Sequence, residues 1–225
     1  MNKRVLNWDG CKNVRDLGGL STGDSRTTCF GAVVRSDTPS RLTEAGWSAL
    51  HEYGIRTIIT LRTNGMKEDE LDFTPPYPGL AVIQAPIEDV TDEEFVQQWA
   101  STELWSTPLY YRDALQRWPK RHAAVISAIA RAQPGGVLFH CIRGHDRTGI
   151  ISLLLLSLAG VTPDEILADY ALSVDPEREE LLARENTSTR EVLLGTLGGL
   201  DIESYLVGGG TSKNDLATVR KRLLG

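Results

Sequence analysis

Short apolar runs alternate with helix-like segments along this 225-residue chain, and that alternation constrains its fold more than any other feature of the sequence. The runs are rich in β-branched residues, as strands are, and lie at residues 30–35, 55–61, 80–85 and 137–140. Strands that alternate with helices are typical of a mainly parallel sheet. We therefore predict a single α/β domain over residues 1–225, with a central, mainly parallel sheet flanked by helices.

The segments between and after these runs carry helix signals. Helical patterns cover residues 108–132, 150–158 and most of 176–224. The first pattern is interrupted at Trp118-Pro119, where a proline follows a tryptophan. Thr162-Pro-Asp-Glu165 has the pattern of a capping box with proline at the first helical position, so we expect another helix to begin there.

An excess of acidic over basic residues narrows the classes of function. The chain has 24 Lys and Arg against 30 Asp and Glu, so its formal net charge is −6. This balance argues against a general nucleic-acid binder. The longest apolar stretch, residues 150–161, is shorter than the roughly 20 residues that a membrane-spanning helix needs, so we expect no stable membrane insertion.

Cysteine usage bears on the cellular compartment. Cys11, Cys29 and Cys141 are too few, and odd in number, for a disulfide framework. No apolar stretch follows the basic first residues, as it would in a signal peptide. We expect a cytoplasmic protein, and secretion by a route without a signal peptide stays open.

The segment that follows the run at residues 137–140 carries the strongest functional signal. It reads His140-Cys-Ile-Arg-Gly-His-Asp-Arg-Thr-Gly149 and leads from a predicted strand into a predicted helix. A tight loop in that position can turn successive backbone N–H groups towards an anion, at the edge of the sheet where ligands bind. The residues that we expect to bind a phosphate are Ile142, Arg143, Gly144, His145, Arg147 and Thr148.

Cys141 and Arg147, five residues apart in this loop, suit complementary roles. The planar guanidinium of Arg147 can donate to two phosphoryl oxygens. The helix N-terminus and Arg147 both favour the thiolate form of Cys141. Thr148 could donate its hydroxyl hydrogen to that thiolate. The loop therefore combines an anion site with a nucleophile.

The spacing of cysteine and arginine says little alone, because Cys29 and Arg35 have the same spacing. The five residues between them form an apolar run that predicts a strand. An extended backbone cannot point its N–H groups at one centre. We therefore predict that Cys29 is a buried structural cysteine.

The loop from Phe139 to Gly149 resembles the signature loop of the cysteine-dependent protein tyrosine phosphatases. It is most similar to that of the bacterial tyrosine/lipid phosphatases, which reads His-Cys-x-x-Gly-Lys-Asp-Arg-Thr-Gly. Further segments resemble this family, namely Asn13-Val-Arg-Asp-Leu-Gly-Gly19, Arg35-Ser-Asp37, Ile166-Leu-Ala-Asp-Tyr-Ala-Leu-Ser173 and residues 215–224. The resemblance implies a protein tyrosine phosphatase-like fold and hydrolysis of phosphotyrosine in protein substrates, with no metal or other cofactor.

The resemblance also implies a role for each reacting residue. Cys141 would attack phosphorus and form a phosphocysteine intermediate, while Arg147 and the loop N–H groups stabilise the phosphoryl oxygens. The leaving phenolate needs a proton from a carboxylic acid. Asp146 lies in the loop, and Asp89, in Pro86-Ile-Glu-Asp89, resembles the acid of the dual-specificity phosphatases. We favour Asp146 and retain Asp89 as the alternative.

Two positions depart from the family pattern. His145 stands where the family usually has a lysine that is associated with activity on phosphoinositides. Because a histidine is fully charged only below about pH 6.5, this change weakens the expectation of lipid phosphatase activity. Thr60-Leu61-Arg62 stands where the family often has Asp-Leu-Arg, which we expect to alter a structural hydrogen bond.

Aromatic residues are concentrated between Phe95 and Trp118, and two interpretations of them stay open. They can pack helices onto the sheet, or they can belong to a helical lid at about residues 92–118 that contacts the phenyl ring of the substrate.

Several alternatives to a phosphotyrosine phosphatase also stay open. They are a dual-specificity or phosphoinositide phosphatase and, in a different class, a module that binds phosphorylated ligands with little turnover. A sulfurtransferase is disfavoured by the Asp-Arg-Thr-Gly ending of the loop. A metal site at His140, Cys141 and His145 is disfavoured because their spacing is unlike the usual zinc patterns.

Overall fold

A five-stranded sheet organises the part of the chain that the structure, a computed structural model, describes, which is residues 3–63 and 73–225. Its strands are β1 (Arg15–Asp16), β2 (Val33–Ser36), β3 (Ile55–Thr60), β4 (Ala81–Gln84) and β5 (Gly136–His140). Their spatial order is β1-β2-β5-β3-β4. All neighbours are parallel except β1 and β2, which are antiparallel. The predicted α/β fold with a mainly parallel sheet is therefore confirmed.

The strand that leads into the candidate loop lies at the centre of the sheet. All five residues of β5 are buried, as expected for a parallel strand covered on both faces. His140 at its end is paired in register with Ser36 of β2 and with Thr60 of β3. The carboxyl ends of the three central strands therefore meet at one edge, where the loop begins.

Helices cover both faces of this sheet. Their bounds are α1 (Glu44–Glu52), α2 (Glu93–Phe95), α3 (Tyr111–Arg117), α4 (Pro119–Arg131), α5 (Asp146–Leu158), α6 (Pro163–Ala171), α7 (Pro176–Arg184), α8 (Thr189–Gly198), α9 (Ile202–Gly208) and α10 (Lys213–Leu224). Shorter turns of 3-10 helix occupy Pro39–Arg41, Glu103–Ser106 and Pro108–Tyr110, and a π-helical turn occupies Val96–Ala100.

Helix α5 is the buried helix of the fold. Its residues from Thr148 to Leu156 are all buried, and a helix that is apolar on every side has to lie inside the core. It belongs to the larger of two core clusters, and the smaller cluster lies under α1. Within the described residues, no helix is both long enough and apolar enough to span a bilayer.

The structure corrects the prediction around Cys29. The strand begins at Val33, because Phe30 is 49% exposed and Gly31 takes a left-handed conformation with φ +74°. Cys29 is therefore half-buried rather than buried, and its N–H donates to the carbonyl of Leu223 (2.7 Å) near the end of α10.

The predicted helices form, and the break predicted at Trp118-Pro119 is confirmed. The start of α5 and the cap of α6 differ from the prediction. The break at Trp118 separates α3 from α4, because Pro119 has no N–H to continue the ladder. Helix α5 begins at Asp146, which brings the loop residue itself into the first turn. Thr162 precedes α6 as predicted, but its side chain makes no capping hydrogen bond.

Candidate active site

The loop after β5 is held against the sheet by hydrogen bonds to its carbonyl groups. The N–H of Thr38 donates to Ile142 O (3.1 Å), Asn13 Nδ2 donates to Arg143 O (3.0 Å), and Arg35 Nη2 donates to Gly144 O (2.8 Å). In a trans peptide the next N–H points opposite to the carbonyl. The N–H groups that follow these three carbonyls therefore point away from the supporting residues, as an anion-binding loop requires.

Gly144 is required by the geometry of this loop. Its φ is +69°, a left-handed conformation that residues with side chains rarely adopt. A Cβ there would also lie 2.7 Å from backbone atoms of Ser36 and Asp37. The loop can therefore approach the end of β2 this closely because residue 144 has no side chain.

A cavity of about 580 Å³ opens beside the loop. Cys141, which is 3% exposed, lines this cavity together with Ile142, Arg143, Asp146 and Arg147. The structure thus brings five of the predicted site residues to one pocket. The predicted residues that do not line it are Asp89, Gly144, His145 and Thr148.

Arg147 is oriented by a carboxylate that the sequence analysis missed. Its Nε lies 3.8 Å from Oε2 of Glu88, which is completely buried. Tyr110 lies against the same carboxylate, and its pKa is raised well above the ordinary value by burial and then by Glu88. The signal in the sequence was the position of Glu88, beside Asp89 and shortly after a predicted strand.

Asp146 lies in surroundings that favour its protonated form. Its Oδ1 lies 3.4 Å from the hydroxyls of Tyr111 and Tyr170. Burial raises the pKa of Asp146, and this effect exceeds the opposing effect of Arg178 and the loop arginines. A raised pKa suits a general acid.

Asp89 has the opposite environment. Its Oδ1 accepts from the N–H (3.0 Å) and hydroxyl (2.7 Å) of Thr91, and its Oδ2 pairs with Arg121. These bonds, those of Thr91 foremost, lower the pKa of Asp89, so it is ionised at neutral pH. The structure places this second acid candidate outside the set of residues that line the pocket.

The side chain of His145 is engaged by α7 instead of facing the pocket. Nη2 of Arg178 lies 2.9 Å from Nδ1 of His145, and a guanidinium can only donate. Burial, then Arg178 and Arg143, lower the pKa of His145 to about 4. The side chain of His145 is therefore neutral at physiological pH and adds no charge to the pocket.

Thr148 does not make the bond predicted for it. Its side chain is fully buried, and its Oγ1 has no hydrogen-bond partner within the described parts of the chain. Helix α5 begins at Asp146, so Thr148 lies inside its first turn.

A buried ion cluster behind the loop accounts for the amino-terminal motifs. Asp169 of α6 is 1% exposed and pairs with Arg4, Arg15 (3.4 Å) and Arg35 (2.8 Å). Arg35 also donates to the loop carbonyl of Gly144. The cluster therefore connects α6 and two sheet strands to the loop.

The aromatic segment contributes both to the core and to the wall of the pocket. Phe95 and Tyr111 are fully buried in the larger core cluster. Trp105 lines the pocket, with Thr102, Glu103 and Ser106 of the same segment. Tyr110 does both, since it is buried and also lines the pocket.

Helix α7 forms the opposite wall of the pocket. It contributes Glu177, Glu180, Leu181 and Arg184. With Glu103 and Arg143, the mouth carries three carboxylates and two guanidinium groups. The mouth is therefore not a basic surface, although Arg147 lies in the loop beneath it.

Comparison with known proteins supports the same assignment over almost the whole chain. The model of the tyrosine phosphatase family matches residues 6–225. A tyrosine-protein phosphatase of Cupriavidus necator is 28% identical over 200 residues, which are 88% of this chain and 70% of that protein. A tyrosine-protein phosphatase of Nostoc commune is 36% identical over 147 residues, 63% of this chain and 48% of that protein.

A third relative is named for a broader specificity. The triple specificity protein phosphatase PtpB of Mycobacterium tuberculosis is 28% identical over 199 residues, 74% of this chain and 68% of that protein. The family model matches almost the whole chain, and Cys141 and Arg147 of the loop line one pocket. The predicted resemblance is therefore confirmed. The chain belongs to the tyrosine phosphatase family.

Proposed function

We propose that this chain hydrolyses phosphotyrosine in protein substrates through a phosphocysteine intermediate on Cys141. The observation that carries the proposal is the meeting of Cys141, Arg147 and Asp146 in one pocket at the amino end of α5. These three groups supply a nucleophile, a cation for the phosphoryl oxygens and a proton donor. The route requires no metal, because Arg147 and the loop N–H groups carry the positive charge.

In the first step, the thiolate of Cys141 attacks phosphorus. An S–P bond forms and the P–O bond to the tyrosyl oxygen breaks, while Asp146 transfers its proton to that oxygen. Arg147, held beside Glu88, donates to the equatorial phosphoryl oxygens. The products of this step are free tyrosine side chain and phosphocysteine.

In the second step, the ionised Asp146 takes a proton from a water molecule, whose oxygen attacks phosphorus. The S–P bond breaks, the electron pair returns to sulfur, and phosphate leaves. Asp146 is then protonated again, and Cys141 is again a thiolate. We propose Asp146 rather than Asp89 for both proton transfers, because Asp89 is paired with Arg121 and does not line the pocket.

The walls of the pocket support a tyrosyl substrate. Trp105, Tyr110 and Leu181 offer aromatic and aliphatic surface to a phenyl ring. Cys141 is nearly inaccessible from outside, with 3% exposure. A phosphoserine side chain is shorter than a phosphotyrosine side chain, so it reaches such a nucleophile less well.

The charge at the mouth supports a peptide over a phosphoinositide. PtpB is named for three specificities, and dual-specificity or lipid activity is the principal alternative for this chain. Here His145 is neutral and bound to Arg178, so it adds no charge for further phosphates. The carboxylates of Glu177 and Glu180 would also face a headgroup that carries several negative charges.

Turnover of three substrates by the wild type and by Cys141→Ser tests the proposal. The substrates are a phosphotyrosine peptide, a phosphoserine peptide of the same sequence, and vesicles that contain a phosphoinositide. We expect turnover of the phosphotyrosine peptide in the presence of a chelator and none by the variant. Activity that survives in Cys141→Ser, or binding of the peptide without turnover by the wild type, would contradict the proposal.

We also propose a domain organisation and a cellular location for the protein. The chain forms a single domain, in which residues 92–118 are a helical lid over the pocket. This lid contacts α7, because Nε of Arg178 in α7 donates to Ser106 O (3.3 Å). We propose a cytoplasmic location, which the three cysteines support because none forms a disulfide.

A further inference from the structure

Two buried tyrosines from different helices meet at the carboxylate of Asp146. Tyr111 belongs to α3 and Tyr170 to α6, and they are 0% and 4% exposed. Their hydroxyl oxygens lie 3.1 Å apart, and each lies 3.4 Å from Oδ1 of Asp146. The phosphatase chemistry described above uses neither hydroxyl.

The first turn of α5 is shaped to admit these tyrosines. A Cβ at Gly149 would lie 2.6 Å from the hydroxyl oxygen of Tyr111 and 3.0 Å from Cε2 of Tyr170. Gly149 lies three residues after Asp146, on the same side of the helix. The absence of a side chain at residue 149 therefore leaves the space in which both rings approach the acid.

The hydrogen-bonding pattern of the three groups favours one position for the proton of the acid. Two hydroxyls supply two hydrogens for their mutual contact and for Oδ1. Every arrangement that satisfies both hydroxyls makes Oδ1 an acceptor. The carbonyl oxygen of a carboxylic acid is a stronger acceptor than its hydroxyl oxygen, so donation to Oδ1 favours the form of Asp146 that carries its hydrogen on the other oxygen, Oδ2.

We propose that Tyr111 and Tyr170 are positioning residues for the general acid, which engage Oδ1 of Asp146 and leave the transferable proton on Oδ2 for the leaving group. This inference rests on the proposed function, because it assigns the acid role to Asp146. Neither tyrosine contacts the substrate in this account. Both act through the orientation of the carboxyl group.

The charged surroundings are compatible with this role. The cations that face Asp146 are Arg178 from α7 and Arg143 and Arg147 from the loop and α5, and Tyr110 also interacts with it. The guanidinium of Arg178 lies 5.1 Å from the centre of the Tyr170 ring. Burial raises the pKa of both Tyr111 and Tyr170, so both hydroxyls keep the hydrogens that they donate.

Tyr111→Phe, Tyr170→Phe and the double variant test the proposal, because they keep the rings and remove the hydroxyls. The readout is kcat/KM, which reports the steps up to departure of the leaving group. With phenyl phosphate, whose leaving group has a pKa near 10 and needs a proton, we expect a loss of about fivefold to tenfold per hydroxyl. With dinitrophenyl phosphate, whose leaving group departs without a proton, we expect kcat/KM within about twofold of the wild type.

The pH profile gives a second readout. The hydrogen bond from Tyr111 favours the ionised carboxylate and so opposes the raised pKa of Asp146. Its removal raises that pKa further, so Asp146 stays protonated to higher pH. The alkaline limb of kcat/KM for phenyl phosphate should therefore move to higher pH in Tyr111→Phe.

Tyr53→Phe is the matched control. Tyr53 also donates its hydroxyl to a carboxylate, Oδ2 of Asp16 (2.5 Å), but it does not line the pocket. We expect this variant to leave kcat/KM unchanged for both substrates. The thermal midpoint of each variant, measured alongside, separates loss of fold from loss of alignment.

Two results would overturn the inference. One is an equal loss with phenyl and dinitrophenyl phosphate, which would indicate a structural role. The other is unchanged kcat/KM for phenyl phosphate in the double variant. Failure of the proposed function itself would appear differently, as activity that survives in Cys141→Ser.

Discussion

Two segments of this chain have a cysteine and an arginine in the same spacing, yet they form different structures. Cys141 and Arg147 flank a loop and the first turn of a helix, and both line one pocket. Cys29 and Arg35 flank a turn and the start of β2. An extended strand advances about 3.3 Å per residue, so it carries the second pair apart.

The difference extends to what each arginine does. Arg147 lines the pocket beside Glu88. Arg35 is fully buried, pairs with Asp169 and donates to the carbonyl of Gly144. The Cys29–Arg35 segment thus holds the Cys141 loop in place through the bond from Arg35 to Gly144. Backbone conformation, rather than spacing, therefore decides whether a cysteine and an arginine come to line one pocket.

Serine substitution of each cysteine tests most directly whether the two segments differ in function. Cys141→Ser should reduce turnover of a phosphotyrosine peptide by at least about 10⁴-fold, because a serine hydroxyl lacks a base to activate it here. Cys29→Ser is the matched control and should stay within about twofold of the wild type. Equal losses in the two variants would contradict the distinction between the segments.

Asp146, which we propose as the acid, belongs to the Cys141 segment, and the second prediction separates it from Asp89. Asp146→Asn should lower kcat/KM for the phosphotyrosine peptide by about 10²- to 10⁴-fold and should remove the fall in activity as pH rises through the raised pKa of Asp146. Asp89→Asn should leave both unchanged. If Asp89→Asn produced the larger loss, Asp89 would be the acid.

The supporting role of the Cys29–Arg35 segment predicts a loss of stability. Asp169→Asn leaves three buried arginines without their carboxylate, which should cost about 3–5 kcal/mol in the free energy of unfolding by urea. The exposed pair of Asp24 and Arg26 offers a control, and Asp24→Asn should not change that free energy measurably. Similar free energies of unfolding for Asp169→Asn and Asp24→Asn would contradict a structural role for the cluster.

The same cluster has a predictable dependence on pH. Burial raises the pKa of Asp169, but Arg35, Arg15 and Arg4 together lower it by more, so it lies below the ordinary value. A carboxyl whose pKa is lowered on folding stabilises the fold above its unfolded pKa, about 3.9, and loses that contribution as pH falls through the folded pKa. Acid unfolding of Asp169→Asn should therefore show a weaker dependence on pH in that range than the wild type.

The sheet and the loop could be predicted because their signals are local. The apolar run before His140, the glycine at 144 and the apolar helix after the loop are contiguous in sequence. The start of β2 could not be predicted in the same way, because Phe30 and Ala32 continue an apolar pattern through a turn. Packing against α10 holds that turn, and a local pattern does not contain this contact.

The groups that tune the site could not be predicted from local patterns for a related reason. Glu88, Tyr111 and the neighbouring pair of Tyr170 and Arg178 come from three separate parts of the chain. Tyr111, Tyr170 and Arg178 contact loop side chains only after α3, α6 and α7 have packed around α5, and Glu88 reaches Arg147 from the segment after β4. The sequence identified five residues that line the pocket, while the environment that surrounds them is a product of tertiary packing.

The most direct test of the account is detection of the covalent intermediate. Asp146→Asn should react with dinitrophenyl phosphate in the first step, which needs no acid, and should be slow in the second step, which needs a base. Rapid quenching followed by peptide mapping should then find phosphate on Cys141. A phosphate on another residue, or turnover without any covalent phosphate, would contradict the account.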